Sequence, residues 1–157
     1  MNSLTIGTSD LFKICNELFD LGLTVRITIT GTSMYPFLYH LRDSVELNRI
    51  TFEQARVGDI VLAVNSHNKY LLHRIHKKTE NTFFMIGDNQ RWLDGPYTAE
   101  QLIARADVIY RKGKRFEMSS FKMKFFSRLW MSVVPFRRVI VTIYKFFLKI
   151  FRKKPSK

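Results

Sequence analysis

Between residues 23 and 111 the chain contains six short runs rich in β-branched and aromatic residues, and no long helical repeat interrupts them. The runs fall at 23–30, 44–47, 59–64, 70–76, 82–86 and 103–111. Turn signals divide them, notably Gly58-Asp59, Asn65-Ser66-His67-Asn68 and Gly87-Asp88-Asn89. Short strands joined tightly cannot make the crossovers that parallel pairing needs. The pattern therefore predicts a mainly β domain built on a mostly antiparallel, partly closed sheet. Ahead of it, Ser9-Asp10 can cap a short N-terminal helix that ends at Gly22. Leu11, Phe12, Cys15, Leu18 and Phe19 share one face of that helix. Cys15 is the sole cysteine and reads as a small core residue, which excludes an internal disulfide and a thiolate metal cluster.

Charge is distributed unevenly along the 157 residues. Residues 1–110 carry 11 Lys and Arg against 12 Asp and Glu, whereas residues 111–157 carry 15 against Glu117 alone. The whole excess of +13 thus lies beyond the β-rich part, and the chain divides into a domain over 1–113 and a basic tail over 114–157. The tail has helical period, with one stretch over 119–134, a break at Pro135 and a second stretch beyond it. Arg138, Thr142, Lys145, Lys149 and Arg152 form one polar stripe, and large apolar residues such as Ile140, Ile143, Phe146, Phe147, Leu148, Ile150 and Phe151 surround it. Cationic amphipathic helices of this composition suit an anionic membrane surface, the alternative being a helix pair that packs back on the domain or on a partner with the basic stripe facing solvent. A nucleic-acid partner is disfavoured, because phosphate binding does not call for so wide an apolar face. The longest uncharged apolar stretch, 129–136, is eight residues, against about 18 or more for a spanning helix. No secretory signal is visible, so the expectation is a peripheral, membrane-associated protein on the cytoplasmic side.

The segment with the most chemistry is Gly31-Thr32-Ser33-Met34-Tyr35-Pro36, directly after the first strand run. Forty residues on comes Leu71-Leu72-His73-Arg74-Ile75, followed by Gly87-Asp88-Asn89 and Asp94. With Gly58-Asp59-Ile60-Val61, this ordered set resembles the signal peptidase I and SOS-repressor superfamily of serine peptidases over about residues 25–113. The resemblance implies a β peptidase fold and a serine endopeptidase with Ser33 as nucleophile. Where bacterial signal peptidases carry a lysine base this chain has His73, so it is most similar to the endoplasmic-reticulum and archaeal variant. In that variant an aspartate orients the histidine. Asp94 and Asp88 stand at the two matching places, with Asp94 preferred. Met34 and Pro36 would shape the substrate cleft, and no cofactor or metal is implied.

The residues support that chemistry by themselves. A serine hydroxyl needs a base to become nucleophilic, and an imidazole with an ordinary pKa of about 6.5 is suited to the task. A carboxylate on its far nitrogen fixes the tautomer. Alternation places Leu71, His73 and Ile75 on one strand face, with Leu72, Arg74 and His76 on the other. His73 and His76 therefore cannot share a metal from one face, and His40 and His67 read as loop residues. Asp88 and Asp94 both have plainer roles open to them as turn residues. Gly31 occupies the place where signal peptidases carry an oxyanion-binding serine, which leaves backbone N–H groups, that of Ser33 above all, for this work. The alternative to a peptidase is a peptidase-like binding or regulatory module of low turnover, attached to the membrane.

Overall fold

The computed structural model describes residues 8–152. A helix, α1 (Thr8–Asp20), leads into β1 (Val25–Thr28), β2 (Ser44–Arg49), β3 (Ile60–Val64), β4 (Tyr70–Lys78), β5 (Thr82–Ile86) and β6 (Asp94–Thr98). Then follow β7 (Leu102–Arg111), β8 (Lys114–Glu117), α2 (Phe121–Ser132) and α3 (Arg137–Arg152). All eight strands belong to one antiparallel sheet ordered β1-β2-β7-β3-β4-β5-β6, with β8 also on β7. The sheet is not closed, because β1 and β6 stand at opposite ends of the order. The partial closure expected from the succession of short strands stops short of a ring.

The ten-residue β7 organises the sheet. It pairs with β2 along most of its length, with β3 through its first half and with β8 through its second half. Register shifts at Glu46/Leu47 and Leu62/Ala63 leave an extra β7 residue opposite each partner, bulges that bend and twist the strand. Its neighbour β3 is a continuous apolar run, Ile-Val-Leu-Ala-Val, buried on both faces. Ile60 and Leu62 join Cys15, Phe19, Met34, Leu38 and Leu47 in the larger core beneath α1. Val61 and Ala63 join Ile75, Phe83, Met85 and Tyr97 in a second core on the opposite face. Burial holds the Cys15 thiol above its ordinary pKa, as suits an inert core residue.

Two strands were absent from the sequence reading. β6 contains Gly95-Pro96, which reads as a turn, and it is tolerated as a strand because it is terminal in the sheet, where a missing N–H breaks no second ladder. β8, Lys-Arg-Phe-Glu, is exposed at every position and mostly charged, a composition that marks an edge. The division at 113/114 thus falls inside the β7–β8 hairpin. The first run is shorter than expected, since past Thr28 the chain leaves the ladder and Ile29 instead bonds Asp43 and Leu41.

In the tail, Ser120 caps α2 by accepting from the Met123 N–H, and Pro135 lies in a short 3-10 turn, Val134–Phe136, before α3. Phe121, Phe125 and Leu129 of α2, and Val139, Ile143 and Phe146 of α3, are exposed. The inward face of α3 carries Arg137 and Val141, both buried. Among the described residues no helix is long and apolar enough to cross a membrane. The side chains of Leu11, Phe12, Arg138, Lys145, Leu148, Lys149, Ile150, Phe151 and Arg152 lie outside those described.

Candidate active site

His73 sits mid-strand in β4, opposite Val61 of β3, and is 3% exposed. Its Nδ1 lies 2.8 Å from Asp94 Oδ2 at the start of β6. An ionised carboxylate only accepts, so the neutral imidazole holds its proton on Nδ1 and presents Nε2 as the basic nitrogen. Burial pushes the His73 pKa below its ordinary value, and the charge and hydrogen bond of Asp94, then the charge of Asp88, oppose that fall. The unprotonated, base-competent form consequently persists to a lower pH than in a free imidazole. Replacing Asp94 with asparagine removes the strongest opposing charge, so the His73 midpoint should move further down. A nitrogen-15 NMR titration of His73 in the wild type and Asp94→Asn would read this. An unchanged or raised midpoint would show that Asp94 does not set the charge of the imidazole.

Asp88 does not reach His73. It is fully buried and forms a two-pronged ion pair with the equally buried Arg74, Nε to Oδ1 at 3.1 Å and Nη2 to Oδ2 at 2.9 Å. The expectation that Asp88 could orient the imidazole is thereby corrected in geometry, since Asp94 holds the ring nitrogen and Asp88 acts on it only through charge. As the alternation on β4 predicts, Leu72 and Arg74 share the face opposite His73, and the tail covers that face. Arg74 lies beneath the tail, where its Nη1 donates to Ser127 Oγ of α2 at 2.7 Å and to the Gly58 carbonyl at 2.9 Å. Ser127 Oγ also donates to the Gly58 carbonyl at 2.9 Å. From α3, Arg137 Nη1 approaches Asp88 Oδ1 to 3.8 Å, while its Nε and Nη2 donate to the Trp130 carbonyl.

Ser33 lies in the turn after β1, half-buried, and its backbone is clamped by the Gly87-Asp88-Asn89 loop. Asn89 N–H donates to the Ser33 carbonyl at 2.7 Å, and Asn89 Nδ2 donates to the Thr32 carbonyl at 3.3 Å. A Cβ on Gly87 would stand 2.8 Å from the Ser33 carbonyl oxygen, so only glycine lets the loop come this close. The serine turn is therefore linked through Asn89 and Asp88 to Arg74, the residue next to His73. Among the described residues no hydrogen bond joins Ser33 to His73; a nucleophile–base contact often tightens only when substrate is bound.

The glycine two places before Ser33 has its N–H committed to His40 Nδ1 at 3.0 Å. The Ser33 N–H donates to no protein group among the described residues, which leaves it available to an oxyanion. Met34 is buried in the larger core, so it supports the turn from beneath and does not line an open cleft, contrary to expectation. Pro36 is half-buried and borders a cavity. Among the described residues no group of three His, Cys, Asp or Glu could hold a metal ion.

Arg74, Ser127 and Arg137 were not identified as site-supporting residues from the sequence. Only the position of Arg74 beside His73 hinted at a role. No protein-family model, curated protein or solved structure matches this chain.

Proposed function

We propose that the protein is a serine endopeptidase of the signal-peptidase-like kind, acting on a peptide or protein substrate at a membrane surface. The observation that carries this reading is the His73–Asp94 pair, a buried imidazole held by a carboxylate through Nδ1. In the proposed reaction Ser33 Oγ attacks the scissile carbonyl as its proton passes to His73 Nε2. The tetrahedral oxyanion is met by the Ser33 N–H. Collapse expels the amine, which takes the proton from His73, and water then hydrolyses the acyl-enzyme by the same base. Asp94 keeps the tautomer and stabilises the imidazolium.

Acyl trapping tests this directly. A fluorophosphonate should modify Ser33, located by peptide mass spectrometry, and Ser33→Ala should remain unmodified. The Ser33 N–H, without an acceptor among the described residues, supports turnover over the alternative of a binding module with little activity. If folded wild-type protein incorporates no label at Ser33, the binding module is the better reading.

Location at a membrane is supported by the tail. Its helices turn Phe121, Phe125, Leu129, Val139, Ile143 and Phe146 outward, with Lys122, Lys124 and Arg128 exposed among them. Burying one such apolar side chain is worth about 1.5–3 kcal/mol. The positive charge favours an anionic leaflet, such as the cytoplasmic one. The full chain should co-sediment with anionic vesicles more strongly than with zwitterionic ones, and Val139→Ser/Ile143→Ser/Phe146→Ser should weaken this at least about tenfold. Equal recovery of variant and wild type would remove the membrane from the proposal.

A further inference from the structure

Two cavities, of about 270 and 280 Å³, open between the tail helices and the sheet, and both are bordered by Phe37, Arg111 and Trp130. Phe126 of α2 helps wall the first, and Ile140 and Tyr144 of α3 help wall the second. Their lining is apolar except where β7 ends. There Arg111 is half-buried, donates one bond to the Pro36 carbonyl at 3.3 Å and has no ion-pair partner among the described residues. The next residue, Lys112, is exposed and likewise without an ion pair among them. Trp130, common to both cavities, has its Nε1–H buried with no acceptor among the described residues.

Arg111 spends one of its five N–H donors on Pro36 and faces the Tyr39 ring at 5.9 Å, so its remaining donors are open to an anion at the cavity mouth. The cavities beside them suit a chain of methylenes. Each is close to the lower end of the size range of ligand pockets, about 300–1,000 Å³, and the two share the wall made by Phe37, Arg111 and Trp130. We infer that this groove binds one acyl chain of an anionic membrane lipid, with the headgroup phosphate on Arg111 and Lys112. The charge at the mouth selects an anion, and the exposed Phe126 of α2 and Ile140 of α3 bring apolar surface to the groove wall. This site goes beyond the peptidase reading and does not depend on whether Ser33 reacts.

The test uses the full chain carrying Trp92→Phe, which leaves Trp130 as its only tryptophan. The probe is lauroyl lysophosphatidylglycerol brominated in its chain, kept below its micelle-forming concentration so that no bilayer is present. Trp130 fluorescence should be quenched saturably at one lipid per protein. The same chain on a phosphocholine headgroup should bind at least about tenfold more weakly, and Arg111→Gln should remove most of this preference.

Because Arg111 also supports the Pro36 turn, Ile140→Phe serves as a second variant, which narrows the second cavity without changing charge or adding a tryptophan and should also weaken binding. Quenching that never saturates, or equal binding of both headgroups to wild type and both variants, would overturn the inference. Brominated laurate is a further arm; binding tighter than that of the phospholipid would assign the groove to free fatty carboxylates and overturn the lipid. Loss of lysolipid binding with vesicle association intact would sink this site and leave the membrane reading standing.

Discussion

Acylation of Ser33 by a fluorophosphonate is expected to fall by about 10⁶-fold in His73→Ala, the scale seen when the histidine base is removed from a serine hydrolase. The size of the effect follows from the environment. His73 is almost wholly buried, so water has poor access to take over the proton. Its carboxylate partner, only 21% exposed, stabilises charge on this ring and on no other base among the described residues. Asp94→Asn should fall between wild type and His73→Ala, because an amide can hold the ring but not favour the imidazolium. The rate is best followed by intact-protein mass spectrometry across pH. A His73→Ala protein that is folded and acylates at the wild-type rate would end the serine–histidine assignment. The acid limb of the wild-type profile should lie below the ordinary imidazole value of 6.5, the direction in which burial moves His73.

Breaking the Arg74–Asp88 pair is expected to have the largest effect on stability. Both side chains are 0% exposed, and Asp88→Ala leaves a guanidinium in the interior without its counter-charge. Such single removals cost about 3–5 kcal/mol, a large share of the 5–15 kcal/mol that holds a typical domain together. Arg137, 3.8 Å from Asp88, would then face Arg74 with no anion between them, which adds repulsion to the loss. Arg74→Met should be milder when combined with Asp88→Leu, because the double change removes both buried charges. Urea unfolding of the three variants measures the pattern. Equal midpoints for wild type and Asp88→Ala would mean that the pair contributes nothing, and a double variant weaker than either single one would contradict charge burial as the cause.

Much of this architecture was legible in the residues. Short runs rich in β-branched and aromatic residues, divided by turn signals, located the stretches that became β2, β3, β4, β5 and β7, because strand composition and turn chemistry are local patterns. The serine turn, the histidine strand and Asp94 were likewise visible as an ordered set. What stayed hidden depends on pairing across long separations. Nothing near Arg74 in sequence announces that Asp88, 14 residues on, and Ser127, 53 residues on, will close over it. Alternation assigned Arg74 to the face opposite His73 correctly but could not say that two tail helices would cover that face. Met34 was misread for a related reason, since its place beside a candidate nucleophile suggested a cleft while its side chain completes the core under α1.

The connection between sheet and tail limits how far the serine could travel from whatever the tail holds. A flexible linker of n residues would let a domain wander roughly 5–6 Å times √n from its anchor. Here β8 ends at Glu117 and α2 begins at Phe121, with Met118 N–H bonded to the Asp107 carbonyl and Ser120 capping the helix. Ser127 then fixes α2 to Arg74 and Gly58. The helices are a mount and not a leash. On a bilayer, the height and tilt of Ser33 would be set by the fold itself, and a scissile bond would have to be delivered to that height by the substrate.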